Sequence, residues 1–128
     1  MKISIITISF NANDTIEKTL KSVVGQSYKN IEHLIIDGGS KDNTIDICNS
    51  YTHISKIISE PDKGVYDAFN KGLKLATGNI IGFLNADDTF YDENSIQGIV
   101  DAFKQKSVDI VYGNLDYINE EGKIIRNW

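Results

Sequence analysis

Apolar residues follow two alternating patterns along the chain, short continuous runs and longer stretches with helical spacing. The runs predict buried strands over residues 3–9, 31–37, 56–59, 80–84 and 109–112. Apolar positions three and four apart predict helices over residues 15–26, 44–51 and 94–106. Another helix, from Val65 to Ala76, is expected to end at Gly78, because glycine tolerates a positive φ. Residues 115–126 predict a hairpin that turns at Glu121 and Gly122.

Strands that alternate with helices imply an α/β fold with a mostly parallel sheet and helices on both faces. The 128 residues fit a single domain over 1–128, and a hydrophobic content of 41% is enough to fill its core. Asp14 and Glu17 have the spacing of a capping box, so they are expected to start the first helix.

Charge and composition narrow the function classes. The formal net charge is −5 and no basic stripe is present, so a nucleic-acid partner is not expected. The single cysteine, Cys48, excludes an internal disulfide and is expected to be a buried hydrophobe. No run approaches the ~20 apolar residues of a membrane span. A cytoplasmic location is therefore expected; peripheral membrane contact and the oligomeric state stay open.

Polar residues follow three of the predicted strands. The first strand ends in the segment 7–11, the second in 37–40 and the fourth in 85–88, which contains Asp87 and Asp88. Ligands of open α/β sheets bind outside the carboxyl ends of the strands. Each segment alone can be turn chemistry, because turns favour Asp, Asn, Ser and Gly. Three of them at one edge indicate a ligand site.

These segments carry a resemblance to a known family. The motifs Thr7-Ile-Ser-Phe-Asn11, Asp37-Gly-Gly-Ser-Lys-Asp-Asn-Thr44, Glu60-Pro-Asp-Lys-Gly-Val-Tyr-Asp-Ala-Phe-Asn-Lys-Gly72 and Phe83-Leu-Asn-Ala-Asp-Asp88 resemble family 2 glycosyltransferases in order and spacing. The nearest subgroup builds bacterial O-antigen, capsule or exopolysaccharide. The resemblance implies the GT-A fold, a nucleotide-binding α/β sandwich, here followed by a C-terminal hairpin. It also implies that the chain is the nucleotide-sugar-binding part, cut before the acceptor-binding region.

The resemblance assigns site residues. Asp37 is expected to accept a hydrogen bond from the base, typically uracil N3–H, although a role in capping its own turn is the alternative. Asp67 and Asn70 are expected at the donor sugar together with Asp88, or Asp67 forms an exposed pair with Lys71. The expected nucleotide contacts are Thr7, Ser9, Asp37, Gly39, Lys63, Asn85, Ala86 and Asp87.

The segment 85–88 is expected to hold a divalent metal, Mn²⁺ or Mg²⁺. Hard cations prefer carboxylate oxygens and stabilise the charge on a leaving diphosphate. Asp87 is the first choice as a ligand, and Asp88 supports it or contacts the sugar. Asn85 departs from the commoner Asp of the family. Among other polar or aromatic residues, His33, Tyr66 and Tyr91 are expected to be structural.

The resemblance implies an inverting transferase that moves a hexosyl or related group from a UDP-sugar to a carbohydrate or lipid-linked acceptor. Its general base is expected beyond Trp128, with Asp116, Glu120 and Glu121 as weak candidates. A non-catalytic nucleotide-sugar binder or an inactive fragment is the main alternative. A phosphatase of the haloacid dehalogenase type is remote, because its nucleophilic carboxylate would fall on Asn85, an amide. A dehydrogenase is not expected, since the first strand lacks the Gly-x-Gly-x-x-Gly turn.

Overall fold

The computed structural model describes residues 1–106, 116–118 and 124–127. The chain divides into two compact units, Met1–Gly98 and Ile99–Trp128. The elements in chain order are β1 (Ile3–Ser9), α1 (Ile16–Val24), β2 (Ile31–Asp37), α2 (Thr44–Asn49), β3 (Ile54–Ser59), α3 (Val65–Leu75), β4 (Ile80–Phe83), α4 (Ser95–Lys106), β5 (Asp116–Ile118) and β6 (Ile124–Asn127).

The first unit contains a parallel sheet with the strand order β3-β2-β1-β4. The chain moves outward from β1 through β2 to β3, and then returns to the other side of β1 to form β4. The direction of winding therefore reverses between β1 and β4. Ligands of open α/β sheets bind at such a switch point, outside the carboxyl ends of the strands.

Helices cover both faces of this sheet. On one face, α1 and α2 pack against β2 through a core cluster that consists of Ile16, Leu20, Ile35, Cys48 and Ala86. On the other face, α3 packs against β1 and β2 through Ile6, Leu34, Ile36 and Ala68. Successive strand residues face opposite sides, which explains why Ile35 and its neighbours Leu34 and Ile36 belong to different clusters. The predicted α/β fold with a parallel sheet is confirmed.

The second unit contains a hairpin in which β5 and β6 pair antiparallel, as predicted. Its predicted turn at 121–122 and the predicted strand 109–112 lie outside the described residues. The single domain over 1–128 stays a prediction. Among the described residues, no helix has the length and apolar character that crossing a membrane requires.

The start of α1 differs from the prediction. Its N-cap is Thr15, and no side chain caps the helix, so the capping box of Asp14 and Glu17 is wrong. Glu17 instead pairs with Lys21 one turn later, at 3.4 Å. The Glu17 side chain thus forms an i,i+4 ion pair instead of a hydrogen bond to the backbone at the start of the helix.

The role of Gly78 also differs. The helix α3 ends at Leu75, and the φ of Gly78 is not positive. A Cβ on Gly78 would instead stand 2.6 Å from Ser4 Oγ and 2.7 Å from Ser4 N. Glycine is therefore needed here because the loop after α3 passes directly against β1.

Of the four remaining residues that were predicted to be structural, two are buried as expected and two are exposed. His33 and Cys48 are fully buried, as expected, and burial together with the charge of Asp37 raises the pKa of Cys48 to about 11. The packing role of Tyr66 and Tyr91 is wrong, because each side chain is 84% exposed. Both tyrosines lie in segments that begin a helix or a turn, where apolar spacing carries little information about which face is covered.

Candidate functional site

Three chain segments meet at the carboxyl edge of the sheet. Ser9 Oγ at the end of β1 donates to Asp37 Oδ1 at the end of β2 over 2.7 Å. The backbone of Ala86, after β4, donates to the carbonyl oxygen of Ile8 over 3.1 Å. The structure thus brings together the three polar segments that the sequence placed at strand ends.

The Asp37 carboxylate is surrounded by donors from its own turn and the adjacent strands. Oδ1 accepts from Ser9 Oγ (2.7 Å) and Ser40 Oγ (2.6 Å), while Oδ2 accepts from Gly39 N (3.1 Å), Ser40 N (2.7 Å) and Ser59 Oγ (2.8 Å). Burial alone would raise the pKa of Asp37, but the bonds from Ser40, Ser9 and Ser59 lower it. A carboxylate offers about four lone-pair sites. The capping of its own turn by Asp37 is confirmed, and the contact of Asp37 with a base stays a prediction.

Thr7 is bonded within the protein. Its side chain is fully buried, and Oγ1 lies 2.8 Å from His33 Nε2. The Thr7 side chain lies two positions inside the strand end, and the expected contact of Thr7 with the nucleoside stays a prediction. Ser9 is also buried and holds Asp37.

Phe10 is the exposed side chain at the end of β1. The residue is 62% exposed. Phe10 is part of the first motif, but no role was predicted for it. A large aromatic residue directly after a buried strand, in a polar turn, is the signal that would have found it.

The acidic turn after β4 is held by its own backbone and by α1. The Asp88 N–H donates to the Asn85 carbonyl over 3.0 Å. Thr19 Oγ1, buried on α1, bonds to the carbonyls of Ala86 (3.0 Å) and Asp88 (2.7 Å). Asn85, Asp87 and Asp88 are exposed.

Ala86 faces the protein interior instead. Its side chain is 5% exposed and packs in the cluster beneath α1, and its N–H and carbonyl oxygen are both bonded within the protein. The expected nucleotide contact of Ala86 stays a prediction. Thr19 was missed by the sequence, although a threonine among the apolar positions of a helix face was the available signal.

The residues of the acidic turn fit a divalent cation that arrives with a diphosphate. Partial burial and the nearby charge of Asp87 raise the pKa of Asp88, so the two carboxylates repel one another. Among the described residues, no group of three or more His, Cys, Asp or Glu side chains is arranged to hold a metal. Mg²⁺ is commonly bound by one or two carboxylates together with substrate phosphates and water, which is what this turn offers.

The segment between β3 and α3 is tied down by ion pairs. Lys71 Nζ lies 3.2 Å from Glu60 Oε1 and 3.7 Å from Asp67 Oδ2. Asp67 Oδ2 also accepts the Lys63 N–H over 2.9 Å, and this bond comes first among the causes that lower the pKa of Asp67. The predicted Asp67–Lys71 pair is confirmed, and Asp67 orients the loop. Lys63 and Asn70 are exposed, so their predicted ligand contacts stay open.

This segment lies against the turn after β2. Gly39 has a φ of +87°, and a Cβ built on it would stand 3.3 Å from Pro61 N. A Cβ on Gly38 would stand 3.0 Å from Asp62 Oδ2 and 3.4 Å from Phe10 Cδ1. The two turns and the exposed aromatic ring therefore converge on one place.

The candidate bases lie elsewhere in the chain. Asp116 begins β5 in the second unit. Its side chain, Glu120 and Glu121 are outside the described part of the structure, so all three remain predictions.

A parallel sheet that gathers an acidic turn, an exposed aromatic ring and a tied loop at its switch point agrees with an α/β domain of the GT-A type. The model of Glycosyl transferase family 2 matches residues 4–127. The chain belongs to this family. The phosphatase alternative falls away with this assignment.

Curated relatives support the assignment. An uncharacterized glycosyltransferase of Mycobacterium tuberculosis is 40% identical over 106 residues, which are 81% of this chain and 40% of that protein. A PGL/p-HBAD biosynthesis glycosyltransferase of Mycobacterium bovis is 36% identical over 118 residues, or 88% of this chain and 46% of that protein. The chain thus spans less than half the length of these relatives.

Solved structures share the fold. Staphylococcus aureus TarS in complex with UDP-GlcNAc superimposes with a TM-score of 0.76 at 23% identity, covering 84% of this chain and 32% of that one. The mannosyltransferase PcManGT from Pyrobaculum calidifontis, in complex with GDP-Man and Mn²⁺, gives 0.75 at 22% identity over 84% and 33%.

Proposed function

We propose that this chain binds the sugar donor of a family 2 glycosyltransferase, and that the donor is a UDP-sugar. The whole protein would transfer the sugar, with inversion, to a carbohydrate or lipid-linked acceptor in bacterial surface polysaccharide synthesis. The observation that carries the proposal is the position of the Asp87–Asp88 turn, which follows β4 at the switch point and is held there by Thr19.

Different residues are suited to the base, the phosphates and the sugar of the donor. The exposed Phe10 ring offers a face on which a base can stack, an interaction worth about 1–3 kcal/mol per base when aromatic residues bind nucleic acids. The exposed ammonium of Lys63 is suited to a phosphate, and Asn70 and Asp88 to the donor sugar. Asp67 acts on the loop by holding the Lys63 N–H, and a direct sugar contact by Asp67 remains part of the proposal.

Asp87 and Asp88 would hold the divalent cation, Mn²⁺ or Mg²⁺. When bound, the cation supplies positive charge that offsets the charge growing on the leaving diphosphate. Thr19 keeps the two carboxylates in place through the backbone of their turn. We place the reaction in the cytoplasm at the inner face of the membrane, where an acceptor carried on a lipid would be met.

Calorimetric titration with UDP, in Mn²⁺ and in chelator, tests the proposal. We expect Mn²⁺ to strengthen UDP binding by about tenfold or more, equivalent to ~1.4 kcal/mol. Asp87→Asn should remove this enhancement because it removes a carboxylate ligand. Asp46→Asn, which removes the same charge from an exposed position on α2, is the matched control and should keep it. Equal UDP affinity in Mn²⁺ and in chelator would contradict the metal assignment.

A further inference from the structure

The turn after β1 (residues 10–13) and the turn after β2 (residues 38–43) are joined by hydrogen bonds that run in both directions. The Asn11 N–H donates to Ser40 Oγ over 2.7 Å, and Asn11 Oδ1 accepts the Lys41 N–H over 2.9 Å. Asn11 has a φ of +47°, in the left-handed region, which asparagine adopts more readily than most residues. These two bonds therefore fix the backbone directly after Phe10.

Thr44, the first residue of α2, links the two turns through its hydroxyl. The side chain is fully buried, and Oγ1 accepts the Ala12 N–H over 2.8 Å. The same hydroxyl donates to Asp42 Oδ1 over 2.5 Å, and Asp42 Oδ2 accepts the Asn13 N–H over 3.2 Å. Desolvation alone would raise the pKa of Asp42, but the bonds from Thr44 and Asn13 lower it, so the carboxylate is ionised and can only accept. The Thr44 hydrogen thus points at Asp42, which leaves a lone pair of Oγ1 for Ala12.

These bonds also take the place of a side-chain cap on α1. No side chain caps this helix at its own N-cap residue. The N–H groups of Ala12 and Asn13, in the turn ahead of the helix, are instead bonded to Thr44 and Asp42. The Ala12 carbonyl oxygen in turn accepts the Ile16 N–H over 2.9 Å. The first helix therefore begins on a residue that the Thr44 hydroxyl holds.

Phe10 lies between two residues whose positions are fixed. Ser9 before it is bonded to Asp37 at 2.7 Å, and Asn11 after it is bonded to Ser40. The Phe10 side chain itself is exposed. An aromatic side chain on a turn that is ordered before the ligand arrives loses less entropy on binding than one on a mobile turn. Bonds that order this turn therefore strengthen binding of a ligand that contacts Phe10.

We infer that Thr44 is a positioning residue of the donor site, and that its hydroxyl fixes the turn that carries Phe10. The inference rests on the proposed function of this edge as a UDP-sugar site. Because Thr44 is fully buried, its effect on binding is indirect. Thr19 holds the acidic turn after β4, so loss of the Thr44 hydroxyl should leave the contribution of the metal intact.

Calorimetric titration with UDP, in Mn²⁺ and in chelator, tests the inference on Thr44→Val and Thr44→Ser. Valine keeps the shape of threonine but removes the hydroxyl, so the Ala12 N–H loses its acceptor. We expect Thr44→Val to weaken UDP binding by roughly three- to tenfold in both conditions, the range for ordering one side chain on binding. The ratio of the two affinities should stay as in the wild type. Thr44→Ser keeps the hydroxyl and should bind UDP as the wild-type chain does.

Asn11→Gly is a second variant that leaves the buried Thr44 in place. Glycine adopts the φ of +47° without strain and removes the oxygen that accepts the Lys41 N–H. It should weaken UDP binding in both conditions, as Thr44→Val does. Circular dichroism at the titration temperature shows which variants are folded, and Asn11→Gly decides the matter if Thr44→Val does not fold.

The outcomes separate the inference from the proposed function. If the wild-type chain binds UDP and both folded variants bind it equally well, with only a lower thermal midpoint, Thr44 is structural and the proposed function stands. A loss confined to the Mn²⁺ enhancement, or an equal loss in Thr44→Ser, would also overturn the role of the hydroxyl in fixing the Phe10 turn. If the wild-type chain does not bind UDP, the proposed function and the inference both fall.

Discussion

The Thr19 hydroxyl is a buried polar group on the apolar face of α1, and it bonds to two carbonyls of the acidic turn. A carbonyl that loses its partner inside a protein costs about 1–3 kcal/mol. The turn that carries Asp87 therefore depends on a residue that need not touch the ligand.

Thr19→Val tests this positioning role, because valine keeps the shape and removes the hydroxyl. We expect the Mn²⁺ enhancement of UDP binding to fall by roughly three- to tenfold, because the turn carrying the carboxylates relaxes by up to ~1.4 kcal/mol. UDP affinity in chelator should stay unchanged. Thr52→Val, at an exposed position in the turn before β3, is the control. An unaltered enhancement in Thr19→Val would show that the turn holds itself.

The exposed residues of the site lie where the sequence predicts them. The burial of other residues in the same motifs was not predicted. Asp87 and Asp88 lie exposed at the expected edge, as strand-end carboxylates should. Thr7 and Ala86 have motif positions but face inward, and a motif does not state which way a side chain points. Asp37 was correctly placed at the strand end, while the five donors around it come from three separate segments of the chain.

At the scale of elements, strands were easier to delimit than helix ends. The bounds of β1 and β2 match the prediction because continuous β-branched runs, buried on both faces, have sharp limits. The first helix was predicted through Gln26 but ends at Val24. Gln26 is buried, and its amide bonds to the carbonyls of Ser22 and Asp92. Such long-range capping cannot be seen in a local pattern.

The connection from α3 to β4 rests on a close approach that only glycine permits. Gly78→Ala would place a methyl group 2.6 Å from Ser4 Oγ, so either β1 or the loop must shift. We expect the variant to lose about 1–3 kcal/mol of unfolding free energy, as overpacked sites do. Denaturant unfolding measures this loss, with Gly98→Ala, whose Cβ would meet nothing within 4 Å, as the control. Equal midpoints for both variants would refute the tight approach.

At the scale of the whole molecule, a pair formed by the buried His33 and the half-buried His53 links stability to pH. His33 Nδ1 lies 2.9 Å from His53 Nε2, and His33 also bonds to Thr7. Burial, and then the neighbouring His53, lower the pKa of His33 to about 3 from 6.5, and burial lowers the pKa of His53. Below pH 6.5 the two histidines therefore bind protons more readily in the unfolded chain than in the folded chain.

Stability should consequently be complete above pH 6.5 and fall as the pH drops toward 3. Between pH 6 and 5 we expect the histidines to set the slope, at ~1.4 kcal/mol per pH unit for each proton taken up, because the ordinary pKa of histidine, ~6.5, lies closest to this window. Denaturant unfolding across this window measures the slope, and His33→Gln should reduce it. A free energy of unfolding that is constant from pH 6 to 5 would contradict a histidine pair that stays neutral in the folded chain.

The central claim is that the carboxyl edge of the sheet, at the β1–β4 switch point, is the donor site. A crystal structure of the chain soaked with UDP and Mn²⁺ tests it most directly. We predict density for the diphosphate and the cation beside Asp87, with the uracil ring stacked on Phe10. Nucleotide density at another surface, such as the opposite edge of the sheet near Glu32, with the Asp87 turn free of ligand, would contradict it.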